Sequence, residues 1–271
     1  MNELIVLGSG TSTGIPIVGC KCAVCLSKNP KNKRLRTSLY LNLQGTKILI
    51  DTTPDLRTQL LNHAIDHLDG VIITHDHADH IHGIDDLRPL SFIAKAPIPL
   101  FTDDACAASI EKRFYYIFDD TRPLIGGGKP LLKLNHLMVP KEQVVPHNIV
   151  DQKFNFFKLP HGHTHSLGFQ VESLAYLIDC HKIPNNIVNY LHSEKLDLLI
   201  IDCCQLERHS THLNRDLAFK YIQEIAPQRA GLIHMNHSLE HEQLLLDAKS
   251  TFSFPVTPLY DGQRLQFPSS F

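Results

Sequence analysis

Apolar positions along this chain come in short runs separated by turn residues. Glu3–Leu7 is apolar and ends in Gly8-Ser9-Gly10-Thr11, Ser38–Leu43 alternates with period two, and Lys47–Asp51 is a short apolar strand with an acid at its C-terminal end. Asp55–Ala64 has helical spacing behind Pro54, a residue suited to a first helical turn. Gly70–Thr74 is a buried-strand candidate that delivers the chain to His75. Asp103–Tyr116 reads as a helix, and Asp119–Pro130, with Gly126, Gly127 and Gly128, as a loop that is either a lid or a linker. Strands return at Asn155–Leu159, Gly168–Val171 and Leu174–Ile178. The remainder reads as helix Asn185–His192, strand Leu196–Ile201, helix Arg215–Ile225, strand Arg229–Ile233 and helix Glu240–Ser250. Strands alternate with helices twice, so the pattern predicts an α/β chain of two similar β-rich halves packed face to face in a single domain, 1–271.

Composition narrows this picture. A chain of 271 residues, 43% hydrophobic, has enough apolar surface to bury a large core without disulfides. Lys+Arg 26 against Asp+Glu 28 leaves a net charge of −2, so no global positive field exists to hold a nucleic acid. The longest apolar runs, such as Leu196–Ile201, fall far short of the ~20 residues that cross a bilayer. Met1–Gly8 enters a strand with no basic leader, and a reduced, cytoplasmic setting is expected. Eighteen histidines against no tryptophan point towards metal chemistry. Seven cysteines, three of them at Cys20, Cys22 and Cys25, suit thiolate ligands better than a secreted disulfide framework.

The strongest motif is His75-Asp76-His77-Ala78-Asp79-His80. It directly follows a strand, where period two lets His75 and His77 point the same way. Asp79 and His80 lie past the bend and can serve a second position ~3.5–4 Å away, the spacing of two-metal sites. Imidazole and carboxylate together suit zinc, manganese or iron better than calcium. Three further elements end strands where side chains can converge: His161-Gly162, Asp179 and His234. The cysteine cluster can take three corners of a zinc tetrahedron. The weakest signal is His209-Ser210-Thr211-His212, which would overhang such a centre; Thr211 and Asn214 are equally good N-cap residues for the helix that follows.

The run Gly8-Ser9-Gly10-Thr11, Ile50-Asp51, His75–His80, His161, Asp179 and His234 resembles the metallo-β-lactamase superfamily. Within it the chain is similar to the PhnP-like phosphodiesterases, through Pro54-Asp55-Leu56-Arg57, Gly83-Ile84-Asp85-Asp86-Leu87-Arg88 and Tyr260-Asp261-Gly262. The resemblance implies a four-layer αββα sandwich and two divalent ions, Mn²⁺ or Zn²⁺. His75, His77 and His161 would bind one, Asp79, His80 and His234 the other, with Asp179 bridging. His163 and His165 are rivals to His161, which the family pattern favours because His-Gly stands ahead of Leu167-Gly168-Phe169. Asp51 is expected to orient a ligand imidazole. One structural Zn²⁺ would take Cys20, Cys22, Cys25 and, three residues after the last catalytic histidine, His237. Cys106, Cys180, Cys203 and Cys204 are read as ordinary buried residues and His82 as a helix residue.

The resemblance implies a hydrolase. The expected substrate is a small cyclic or linear phosphodiester, such as phosphoribosyl cyclic phosphate. Asp79 and His212 would be the catalytic side chains, with His212, by similarity to tRNA 3′-processing enzymes, protonating the leaving oxygen and His209 as its substitute. The alternatives are a thioester or lactone hydrolase with the same metals, a tRNA 3′-processing nuclease, and a zinc-stabilised binding module. The nuclease would need a protruding basic arm, for which only Asp119–Pro130 is available. No membrane partner is expected, and a homodimer is a family-level expectation.

Overall fold

The described residues, 2–119 and 128–268 of a computed structural model, build two seven-stranded sheets. The first holds β1 (Asn2–Gly8), β2 (Ser38–Leu43), β3 (Thr46–Ile50), β4 (Gly70–Ile72), β5 (Ile98–Thr102) and β6 (Leu132–His136). The second holds β7 (Val145–Ile149), β8 (Gln152–His161), β9 (Thr164–Val171), β10 (Leu174–Leu177), β11 (Leu198–Asp202), β12 (Arg229–Ile233) and β13 (Val256–Pro258). The last strand, β14 (Arg264–Phe267), crosses back to pair with β1.

Both sheets have the same plan. In the first, β14-β1-β2-β3 are antiparallel neighbours and β3-β4-β5-β6 parallel ones. In the second, β7-β8-β9-β10 are antiparallel and β10-β11-β12-β13 parallel. The two similar halves expected from the sequence are therefore present. Strands such as β3 and β11 are apolar throughout because both of their faces are covered. Ile48, Ile50, Leu198 and Ile200 fill the space between the sheets with Phe156, Phe169 and Tyr176. Leu49 and Val71 pack outward against helix Leu56–Asn62 through Leu60, and Leu199 and Ile201 against Ile187, Ile222 and Leu244 on the opposite outside. Helix, sheet, sheet and helix make the four layers.

Some boundaries differ from the sequence reading. The stretch Asp103–Tyr116 is broken at Phe114, which leaves helical geometry (φ −112°, ψ 38°) and sets its ring 5.9 Å from that of His82. Helix Asp104–Arg113 ends there and a single turn, Tyr115–Phe118, follows. Of the expected loop Asp119–Pro130, positions 120–127 lie outside the described residues. Among the described residues no helix is long and apolar enough to cross a membrane. At the carboxyl ends of the parallel strands the sheet order leaves a crevice, the place where α/β sheets gather ligand-binding side chains; Asp51, His75, Asp179, Asp202 and His234 all stand there.

Candidate metal centre

The predicted ligands converge. His75 and His77 leave β4 in extended backbone, and Asp79 and His80 lie on the helical turn Ala78–Ile81. His161 ends β8, Asp179 follows β10, and His234 follows β12. Donor atoms of His75, His77 and His161 lie within 4.8 Å of one another, as do those of Asp79, His80 and His234, and those of His75, His80 and Asp179. Asp179 stands between the two histidine groups: its oxygens are 3.3 Å from His80 Nε2, 3.4 Å from His234 Nε2, 3.9 Å from His161 Nε2 and 4.0 Å from His75 Nε2. His163 is exposed, and the His165 ring is tied to Asp103, which also holds Lys158 Nζ at 3.0 Å. Of the three rivals, the structure brings His161 to His77, at 3.2 Å.

The buried imidazoles are held from behind, so that each presents Nε2 inward. His80 Nδ1 donates to Asp51 at 2.8 Å, and Asp51 also takes the Thr74 N–H at 2.7 Å. The Thr74 hydroxyl donates to Asp51 at 2.9 Å and lies 3.1 Å from His75 Nδ1. His161 Nδ1 donates to the Thr211 carbonyl at 2.9 Å. His234 Nδ1 meets the Thr37 hydroxyl at 3.2 Å, and that hydroxyl donates onward to the Gly10 carbonyl at 2.8 Å. Asp51 thus holds the ring of His80, while Thr37, Thr74 and Thr211 carry no sequence signal beyond their proximity to motif residues.

Whether this pocket suits cations can be read from its unpaired atoms. His75 Nε2, His80 Nε2 and Asp179 Oδ2 are fully buried and make no hydrogen bond. Burying such groups unpaired is costly, and a divalent ion is the partner that lone pairs of this kind accept. At His80 burial is outweighed by the charges of Asp79, Asp179 and Asp51, which push its pKa well above the ordinary value; the shifts at His75 and His234 run the other way. Burial and the neighbouring His80 push His75 well below its ordinary value, and burial lowers His234 too, so both favour the neutral form that ligates. Burial opposes ionisation of Asp179, yet His234, His80 and His75 together hold its carboxyl well below the usual range.

His212 sits on the rim, as expected. Its Nδ1 is 3.0 Å from Asp202 Oδ2 and 3.5 Å from Asp179, and its ring stacks at 5.0 Å on His234. Burial lowers its pKa, but Asp202, by charge and hydrogen bond, outweighs this and brings it to about 9. His209 is exposed, 5.0 Å from His212, and Asn214 rather than Thr211 caps helix Arg215–Ile225. Sequence reasoning missed Asp202, although it bears the mark that singled out Asp51 and Asp179, an acid closing an apolar strand.

Cys20, Cys22, Cys25 and His237 form a second group, with their sulfurs 3.3, 3.7 and 3.7 Å from His237 Nδ1. Cys22 Sγ accepts the Cys25 N–H, which lowers its pKa, and Cys25 Sγ accepts the Ile17 N–H. Burial raises the Cys25 thiol, whereas Cys22 is poised as a thiolate; three sulfurs and an imidazole fit a closed zinc site. Cys106, Cys180, Cys203 and Cys204 are buried and unbridged.

Residues 46–235 match the model of the β-lactamase superfamily domain. An octanoyltransferase from Porphyromonas gingivalis is 35% identical over 246 residues, 89% of this chain; the chain spans about half the length of that relative, 48%. Among solved structures, a diphosphatase of the PhnP family is 32% identical, with a TM-score of 0.87 over 100% of this chain and 98% of that one. Zn²⁺-bound PqqB from Methylobacterium extorquens shares the fold at 16% identity, with a TM-score of 0.78 over 98% of this chain and 100% of that one.

Proposed function

Because the chain belongs to the metallo-β-lactamase superfamily and is a hydrolase of that fold, we propose that it cleaves a small cyclic or linear phosphodiester at a centre of two divalent ions. The seven side chains His75, His77, Asp79, His80, His161, Asp179 and His234 would hold them, Asp179 serving both. When bound, such ions make a water acidic near neutrality and offset the charge of the phosphoryl oxygens. The protein's own part is to keep four imidazoles aimed, through Asp51, Thr74, Thr37 and the Thr211 carbonyl. Cys20, Cys22, Cys25 and His237 would hold a structural zinc.

The observation that carries the choice of bond is His212, held by Asp202 at 3.0 Å beside Asp179. An alkoxide leaving group needs a proton, and a charged imidazole on the rim of the centre is a suitable donor. A thiolate leaving group needs none, so this device favours oxygen esters over thioesters. Similarity to the PhnP-family diphosphatase supports cleavage of a phosphorus–oxygen bond. The octanoyltransferase relative supports a second reading, hydrolysis of an acyl thioester.

Purified protein loaded with Mn²⁺ or Zn²⁺ should hydrolyse bis(p-nitrophenyl) phosphate and a dialkyl phosphodiester, lose both activities to chelator, and regain them with metal. Turnover of octanoyl thioester with neither phosphodiester touched would replace the first reading by the second. A precursor tRNA arm excludes the nuclease if it stays intact.

A further inference from the structure

The duplicated sheet plan places two aspartates at matching points. Asp51 follows the last antiparallel partner of the first sheet, and Asp179 follows that of the second. Both adopt left-handed backbone, φ 63° and φ 49°, which side-chain-bearing residues rarely keep unless their surroundings insist. The registers also match. Leu39 faces Ile50, so Ser38 falls opposite Asp51; Tyr176 faces Phe169, so Ser166 falls opposite Asp179.

These serines do the same thing in both halves. Ser38 Oγ donates to the Ile50 carbonyl at 2.8 Å and reaches the Asp51 carbonyl at 3.3 Å. Ser166 Oγ donates to the Ile178 carbonyl at 2.6 Å and reaches the Asp179 carbonyl at 3.0 Å. Each hydroxyl has one proton shared between two successive carbonyls, and each serine is fully buried. The two carbonyls belong to the peptide groups on either side of the aspartate Cα, so the hydroxyl fixes the twist that turns each carboxylate into the crevice. Neither serine touches a candidate ligand atom, and neither is needed for strand pairing, which the backbone alone supplies.

We propose that Ser38 and Ser166 are a matched pair of positioning residues, each locking one left-handed aspartate into the metal centre. This rests on the reading of His80 and Asp179 as metal ligands. The two serines then have unequal consequences. Asp179 faces both histidine groups, so loosening it through Ser166 weakens both ions. Asp51 holds His80 directly and meets His75 only at one remove, through the Thr74 hydroxyl, so loosening it through Ser38 weakens chiefly the ion on the Asp79–His80–His234 side.

The test is metal affinity, measured by competition with a chromophoric chelator on the apo protein refilled with Zn²⁺, beside metal analysis and urea unfolding of the apo form. Ser166→Ala should weaken both sites by about 10–100-fold, the range for removing a group that orients ligands. Ser38→Ala should weaken one site by a similar factor and leave the second within about threefold. Ser38→Thr and Ser166→Thr, which keep the hydroxyl, should recover most of each loss. Should Ser166→Ala fail to fold, Ser166→Cys, near-isosteric with a poorer donor, carries the comparison. Variants that lose apo stability yet bind both ions as tightly as the parent would overturn the proposal, as would equal losses at both sites in the two alanine variants. A parent that binds no ions in the His/Asp centre would instead overturn the metal reading on which it rests.

Discussion

Arg34 offers a test of the scaffold that involves no metal. Its side chain is 1% exposed and spans from the segment after the cysteine loop to the turn that carries His237. Nη1 donates to the Asn236 carbonyl at 2.9 Å, and Nη2 to the Leu239 carbonyl at 2.7 Å and to Asn32 Oδ1 at 3.3 Å. Replacement by Met keeps the stem and deletes these donors; the Leu239 carbonyl loses its charged partner, while Asn32 Oδ1 keeps the His241 N–H and the Asn236 carbonyl the Leu239 N–H. Hydrogen bonds from a charged donor contribute roughly 1.5–3 kcal/mol each, so the gross loss is ~5–9 kcal/mol. Against this, burial lowers the guanidinium from 12.5 to about 10 despite the attraction of Asp261 and Glu240. At 1.36 kcal/mol per tenfold, ~3 kcal/mol of strain from holding the charge inside is relieved in the variant. The balance is ~2–6 kcal/mol, in line with other buried charges that lose their partners. Urea unfolding of Arg34→Met should show that drop with an unchanged slope, and the melting temperature should fall by about 4–24 °C. Arg34→Lys should recover little, because one ammonium cannot reach three acceptors in fork geometry. A loss below ~1 kcal/mol would refute the view that this guanidinium fastens the two segments.

Asp179→Ala should lose at least one ion and nearly all hydrolysis while keeping its far-ultraviolet circular dichroism; a variant with two ions and most of its rate would disprove the bridging part. His212→Ala should slow alkoxide-leaving substrates by about 10²–10⁴-fold and hardly affect a p-nitrophenyl ester, checked by paired kcat measurements. Cys22→Ser should lower zinc content by one ion per chain and reduce thermal stability, while the His/Asp centre can still be refilled. His241 is nearly fully buried, and burial together with Lys31 lowers its pKa from 6.5 to about 4. Below pH 6.5 the unfolded chain takes up this proton first, so stability should fall by ~2–3 kcal/mol as pH drops towards 4. His241→Leu, compared with the parent by urea unfolding at pH 7.5 and 4.5, should flatten that part of the profile.

What was legible in the sequence divides along a physical line. The central strands β3 and β11 stand out because both faces are buried, which makes the local sequence apolar whatever the rest of the chain does. His75–His80 stands out because its ligands lie within one turn of backbone. Edge strands do not have that advantage: β6 and β7 alternate with polar residues, and Pro146 lies inside β7. An edge needs few apolar contacts and tolerates proline, so its residues do not stand out as a strand. Arg34 is a sharper case. Ordinary solvation would leave an arginine outside; what pulls it in are carbonyls 202 and 205 positions further along, whose location no local pattern contains. Ser38 and Ser166 are of the same kind, since their partners are set by strand register and the serine itself says nothing. The exception is instructive: Asp202 closes an apolar strand as Asp51 and Asp179 do, at the carboxyl edge where the parallel strands of both sheets end. Once a chain is known to repeat one sheet plan twice, an acid at any such strand end is a residue with a reason to face the crevice, because that edge is where buried backbone stops and charged side chains can meet.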